Sequence, residues 1–283
     1  VYGPRSRAAA LALLVAVGDA VAQQPATSAD TDQPPISADT EQPPGELPPG
    51  AQPEGWHGRV QLSRQDTTRG APGQSTQTKL LVDSVFAGTV NLLRFEFPFP
   101  DDKTNFSGDP LDPRLGDVKT RVGFASFKSG KYSFPTFVEV TFPTADPESL
   151  GTGKYQLSAG IRMLAPLARA ADAPNALSAQ LELQAQQVNS VAGDPETKDI
   201  NYTKFEITLD DTWRGTFRFK LKLKPVVDWT QNGRTGSVAE IEGGLFFRRD
   251  WRAFLMLGHR ATGPSGIPST YSDRIELGIA RKF

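Results

Sequence analysis

The sequence predicts an all-β chain, an antiparallel transmembrane β-barrel of about 12 strands behind a disordered Pro-rich N-terminal segment. Three observations carry this expectation. Apolar and polar residues alternate with period two from Trp56 onward, the connections between these runs alternate short and long, and the last run closes on an aromatic, Phe283.

The N-terminus reads as a targeting segment. Arg5 and Arg7 precede an apolar run from Ala8 to Val17, and Ala20-Val21-Ala22 supplies the small-residue pattern of a cleavage site. The run is far short of the roughly 20 residues a membrane helix needs, so 1–22 is expected to be a secretory signal peptide. From Gln23 to Gly55 the chain turns to Pro, Thr, Gln, Asp and Glu, and Ser28-Ala-Asp-Thr-Asp-Gln-Pro-Pro35 returns as Ser37-Ala-Asp-Thr-Glu-Gln-Pro-Pro44. Such a composition buries too little apolar surface to offset the entropy of ordering, which predicts an extended acidic spacer over 23–55. A tether to a periplasmic partner is the alternative role for it.

Residues 56–283 are expected to form the barrel. Leu93, Phe95 and Phe97 alternate with Arg94 and Glu96; Thr136, Val138, Val140 and Phe142 with Glu139 and Thr141; Phe217, Phe219, Leu221 and Leu223 with Arg218, Lys220, Lys222 and Lys224. Strands are predicted over 56–64, 77–86, 89–97, 116–127, 132–142, 153–164, 176–186, 199–209, 213–224, 237–247, 251–260 and 273–283. The short connections fall at Ala87-Gly88, Lys128 to Lys131, Asp210 to Thr212 and Arg248 to Asp250. The long ones fall at Pro98 to Leu115, Pro143 to Thr152, Gln187 to Lys198, Val226 to Gly236 and Ala261 to Ser272. Pro166 to Asn175 is a long connection where the alternation asks for a short one. Short periplasmic turns, long external loops and an even strand number are the habit of bacterial outer-membrane barrels, with both chain ends on the periplasmic side.

Aromatic residues sort to the strand ends, as interfacial girdles require. Trp213, Phe247, Trp251 and Phe283 stand beside the predicted periplasmic turns, and Phe142, Tyr202, Trp229 and Tyr271 near the external ends. A soluble β-sandwich has no reason to sort them so.

The chemistry-bearing residues argue against an enzyme. The chain has no cysteine, and its two histidines, His57 and His259, stand far apart. His259 lacks the neighbouring serine nucleophile of a lipid-modifying barrel, so catalytic residues, cofactors and metal ligands are all expected to be none. The loop acids Asp101, Asp102, Asp109, Asp112 and Asp117 lack the spacing of a calcium loop. A net charge of −1 gives no basis for nucleic-acid binding.

The predicted inner face is charged. Arg218, Lys220 and Lys222 form a basic ladder flanked by Glu206, Glu240 and Glu242, and Arg252, Arg274 and Glu276 continue it. Two readings fit. The charges pair across strands and fill a narrow lumen, or they line a water-filled pore and select permeants by sign. Basic residues exceed acidic ones, which leans toward anionic or polar solutes.

Leu115-Gly116-Asp117, Phe142-Pro143-Thr144-Ala145-Asp146 and Gly151-Thr152-Gly153, followed by Lys154 to Gly160, form a series of turn motifs. In these the chain resembles the outer-membrane transporters grouped as the meta-pathway phenol degradation family, with Ala145 where that pattern has Gly. The resemblance implies a barrel of the Gram-negative outer membrane that moves small, hydrophobic or aromatic compounds. Its partners would be the lipid bilayer, the assembly machinery, which reads Phe283 as its signal, and a small-molecule permeant. The expected function is therefore a channel or transporter. A non-conducting anchoring barrel is the alternative.

Overall fold

The structure is a computed structural model that describes residues 57–68, 74–101, 112–146, 150–167, 179–213, 216–248 and 250–283. The predicted signal peptide, the spacer and most of the connection at 166–175 lie outside the described residues. The strands are β1 (His57–Thr68), β2 (Gln74–Val85), β3 (Val90–Pro100), β4 (Val118–Ser129), β5 (Tyr132–Phe142) and β6 (Lys154–Pro166) in the first half. The second half holds β7 (Gln180–Gly193), β8 (Asn201–Trp213), β9 (Phe217–Asp228), β10 (Arg234–Arg248), β11 (Trp251–Thr262) and β12 (Asp273–Lys282). Each strand pairs antiparallel with its chain neighbours, and β12 pairs with β1 from Arg59↔Lys282 to Thr68↔Asp273, so the sheet closes on itself. Closure satisfies every ladder and leaves no edge, the condition for a sheet to cross a bilayer.

The period-two pattern becomes two chemically distinct surfaces. Leu183, Ile207, Leu221, Leu223, Ile241, Leu255, Leu257, Ile275 and Leu277 are exposed on the outside. Such a continuous apolar surface is stable only against lipid tails. At the end with the short turns, Trp213, Phe247 and Phe283 are exposed, and Trp251 lies 6.3 Å from Phe247. At the loop end Phe142 and Tyr155 meet edge to face at 6.3 Å, and the Trp229 indole donates to Thr203 Oγ1 at 2.8 Å. Tyr202 and Tyr271 depart from the expected external girdle. Tyr202 shares the inward register with Val188 and Asp228, and Tyr271 is buried inside the barrel mouth.

Two connections expected to be long are short. β7 runs on to Gly193, and β9 and β10 are joined only by a 3-10 turn at Trp229–Gln231 with Asn232 and Gly233, both in the left-handed region. The Asp228 carboxylate caps that turn, accepting from Thr230 N at 2.9 Å.

The turn motifs of the middle strands form one clasp at the loop end. Thr144 Oγ1 donates to Gly116 O at 2.8 Å and accepts from Val118 N at 3.0 Å. Asp117 Oδ2 accepts from Thr152 N at 2.6 Å and Thr152 Oγ1 at 2.8 Å, and Asp146 N donates to Leu115 O at 3.1 Å. The motif residues thus tie β4 to the loop between β5 and β6.

Candidate functional site

The ladder registers place Glu206, Arg218, Lys220, Lys222, Glu240, Glu242, Arg252, Arg274 and Glu276 on the inward face of β8 to β12. Lys222 stands opposite Glu240, Lys220 opposite Glu242, Arg274 opposite Gly258, and Glu276 opposite Gln65 of β1. These side chains meet as a paired network. Glu240 is fully buried at its side chain and lies 2.6 Å from Lys224 Nζ and 3.4 Å from Arg274 Nη1. Glu242 takes Arg252 Nη1 at 2.9 Å and Lys222 Nζ at 3.8 Å. Asp210, at the turn end, accepts from Arg218 Nε at 2.8 Å and pairs with Lys220 at 3.1 Å. Glu206 accepts from Thr208 Oγ1 at 3.2 Å.

The same register carries a second charged wall over β1 to β8. Asp83 is clasped by Arg94 at 2.6 Å and by Arg59. Glu96 pairs with Lys119 at 3.4 Å, Glu139 with Arg121 at 2.6 Å, and Arg162 with Glu182 at 3.4 Å. Gln186 bridges this wall, donating to Ser158 Oγ at 2.9 Å and to Glu139 Oε1 at 3.2 Å. Lys204 lies next to Gln186 in the ladder.

Inward aromatics are seated on glycines. The Phe137 ring lies over Gly160, Phe254 over Gly278 and Tyr271 over Gly258. Each carries a guanidinium on its face: Arg121 lies 4.2 Å from the Phe137 centroid, Arg252 5.1 Å from Phe254 and Arg274 4.0 Å from Tyr271. Small residues opposite large ones let the rings lie flat along the wall, and the rings hold the arginines against it.

Basic residues outnumber acidic ones on this face, and in some pairs the cation is the more exposed partner. The Glu240 side chain is 0% exposed, whereas its partners Lys222 and Lys224 are 17% exposed. Lys119 reaches 42% although it points into the barrel. At Glu240, Glu96 and Asp83 the carboxylate lies beneath its cations, whereas in the Arg121–Glu139, Arg162–Glu182 and Arg252–Glu242 pairs the two partners are about equally exposed.

Chains with this architecture are known. A search of solved structures finds the outer membrane channel from Pseudomonas putida F1 at a TM-score of 0.56, with 13% identity over 87% of this chain and 100% of that one. The NanC porin matches at a TM-score of 0.53, with 8% identity over 80% of this chain and 100% of that one. The KdgM porin matches at 0.52, with 8% identity over 80% and 99%. The fold is that of a bacterial outer-membrane β-barrel. No protein-family model and no curated protein sequence matches the chain, so the family resemblance rests on its turn motifs.

Among the described residues, the two histidines stand at opposite ends of the barrel. His259 lies outside at the loop end, its Nδ1 2.7 Å from Asp273 Oδ1, and His57 is exposed at the start of β1. Of the loop acids, Asp101 pairs with Arg64 at 3.1 Å, Asp112 with Arg114 at 3.0 Å and Asp117 with Thr152, while Asp102 and Asp109 lie outside the described residues. Phe283 closes the sheet at the turn end, exchanging backbone hydrogen bonds of 2.8 and 3.0 Å with Gly58. Sequence reasoning missed the wall formed by Asp83, Arg94, Lys119, Arg121, Glu139, Arg162 and Lys204. Its signal was the same alternation, read there for strands but not for the face they share.

Proposed function

We propose that the chain is a passive outer-membrane channel that carries small anionic or polar solutes along its charged inner wall. The observation that carries this reading is the surplus of cations on that wall, with Lys222 and Lys224 standing over the buried Glu240 and Lys119 more exposed than Glu96. Such a surplus presents positive potential to a solute in the lumen while the pairs offset the cost of burial. The ladder of Arg218, Lys220 and Lys222, with Glu206, Glu240, Glu242, Arg252, Arg274 and Glu276 around it, is pore-lining in this reading. Membership in the meta-pathway phenol degradation family would extend the permeants to small hydrophobic or aromatic compounds, and Phe283 would be the signal read by the assembly machinery.

The test is planar-bilayer conductance of the refolded chain beside Lys220→Glu/Lys222→Glu. The channel reading expects steady conductance with anion preference, weakened or inverted in the variant. A folded barrel that passes no current would favour the other reading, an anchoring barrel filled by its own ion pairs.

A further inference from the structure

Lys204 is a cation of the inner wall that no carboxylate of the wall takes up. It faces inward from β8, between Gln186 of β7 and Val226 of β9 in the ladders, and is half-buried. Among the described residues its ammonium makes no hydrogen bond and no ion pair. The nearest acids are already engaged. Glu139 gives Oε2 to Arg121 at 2.6 Å and Oε1 to Gln186 at 3.2 Å, and Glu96 is held by Lys119 at 3.4 Å. Glu206, two residues along the same face, accepts from Thr208 and lies in the field of Lys222 and Lys224. Gln186 uses its amide on Gln184, Ser158 and Glu139, and Val226 offers no acceptor.

Other donors converge on the same place. Lys119 and Arg121 come within electrostatic reach of Lys204 from β4, with β5, β6 and β7 between, so they approach across the lumen. Tyr202, the next inward residue of β8 toward the loop end, lies within the same reach of Lys119. The connection between β11 and β12, residues 263–272, turns into the mouth, with Ile267 3% exposed against Gly236 and Tyr271 2% exposed. Its Ser269 Oγ donates to the Tyr202 hydroxyl at 3.2 Å, a bond that occupies a lone pair and leaves the phenolic proton to be donated elsewhere. Lys119, Arg121 and Lys204 thus face only Glu96 and Glu139, which leaves one positive charge over. A charge left over inside a barrel needs water or a counter-ion.

We propose that Lys204 is the primary contact of an anion-binding site in the lumen, completed by the Tyr202 hydroxyl and the Lys119 ammonium, and that its ligand is a small carboxylate. One carboxylate supplies the single charge the cluster lacks, and its two oxygens accept from an ammonium and a hydroxyl at once. The part this site plays in transport rests on the channel reading; its capacity to bind does not.

Butyrate is the probe, titrated into the full-length refolded barrel in detergent and followed by saturation-transfer NMR. Lys204→Met is expected to weaken binding about tenfold or more, since a hydrogen bond to a charged group is lost, and Lys204→Arg to restore most of it. Tyr202→Phe should weaken it several-fold. Lys79, opposite Ser63 of β1, is another inward lysine without an ion pair among the described residues, and it stands apart from this cluster. Lys79→Met therefore removes the same charge and should bind as the wild type does. No binding by the wild type, wild-type affinity in Lys204→Met, or an equal loss in Lys79→Met overturns the site. If Lys204→Met fails the heat-modifiability test of folding, Tyr202→Phe decides in its place, and an unchanged affinity there overturns the site. In bilayers, butyrate should lower the chloride current of the wild type and leave that of Lys204→Met nearly unaffected; equal block overturns the site. A wild type that passes no current but binds butyrate through Lys204 removes the channel reading and keeps the site. A conducting barrel without Lys204-dependent binding does the reverse.

Discussion

The ring of Phe283 lies flat over Gly58, so close that a Cβ on Gly58 would sit 2.3 Å from ring carbon Cε2. Two backbone hydrogen bonds of 2.8 and 3.0 Å join the same residues, so the last residue of the chain closes the barrel seam against the first strand. Deleting Phe283 is expected to lower the yield of folded barrel, read as the fraction with heat-modifiable gel mobility. Molecules that do fold should conduct as the wild type does. Gly58→Val should lower the yield as well, because its side chain takes the place of the ring and turns Phe283 away from the seam. Normal yield from both would remove Phe283 from assembly.

Glu240 receives Lys224, Arg274 and the Tyr271 hydroxyl at a site closed to water. Glu240→Leu leaves those cations without their carboxylate, and breaking such a buried pair costs about 3–5 kcal/mol. Tyr271→Phe removes one hydrogen bond and leaves the ring and its arginine in place, a loss of about 1–3 kcal/mol. Denaturant unfolding in detergent, followed by tryptophan fluorescence, should rank Glu240→Leu well below Tyr271→Phe. The reverse order would mean that the network contributes little.

Burial, with the neighbouring Glu240 carboxylate adding to it, raises the Tyr271 phenol above its ordinary range. A raised folded-state pKa means that the neutral phenol's contribution is whole below the unfolded value of about 10 and is lost as pH climbs beyond it. Ultraviolet titration of the folded barrel should therefore show one tyrosine ionising later than the rest, and Tyr271→Phe should remove that late component. A Tyr271 that ionises with the others would place the loop in solvent.

The clasp of Asp117, Thr144 and Thr152 gives the motif residues a structural task. Thr144→Val forfeits both its hydrogen bonds, to Gly116 O and from Val118 N, at about 1–2 kcal/mol together. Gly151→Ala should be worse, since its Cβ would meet Asp117 Oδ1 at 2.3 Å and Ala145 Cβ at 2.5 Å. Limited proteolysis of the loop between β5 and β6 is the measurement, with faster cleavage expected in both variants. Protection equal to the wild type would separate the motif from loop order.

The strand order and the inward parity were readable because a bilayer imposes one rule on every strand, lipid-soluble outside and polar inside. The rule stops where the strand leaves the lipid. Gln186, Gln187, Asn189 and Ser190 are polar on both faces, so 187–198 read as a loop although β7 continues to Gly193. Pro225 looked like a strand end. It faces outward in β9, and the β8–β9 ladder skips it, passing from Lys204↔Val226 to Ile207↔Leu223, so its missing donor costs no bond there. The seat of Ile267 and Tyr271 was not readable at all, because an inward-turned loop has no period. Its partners Gly236, Tyr202 and Glu240 are distant in the chain and are brought together only by closure.

Phe137 couples packing to passage on the opposite wall. It is 4% exposed inside the barrel, its ring presses on Gly160, and Arg121 and Arg162 lie 4.2 and 5.4 Å from its centroid. A Cβ on Gly160 would come 2.3 Å from the ring tip, so Gly160→Val alone is expected to destabilise the barrel strongly. Phe137→Ala opens space in the lumen and releases both guanidiniums from a contact worth about 0.5–2 kcal/mol each. It should raise single-channel conductance while lowering stability by about 3–5 kcal/mol. The double variant Phe137→Ala/Gly160→Val relieves the clash, because the new side chain enters the volume the ring has left. It should therefore be more stable than Gly160→Val alone, a non-additivity of about 1–3 kcal/mol in denaturant unfolding, with conductance between that of Phe137→Ala and the wild type. Additive losses in the double variant would mean that the ring and the glycine are neighbours without being partners.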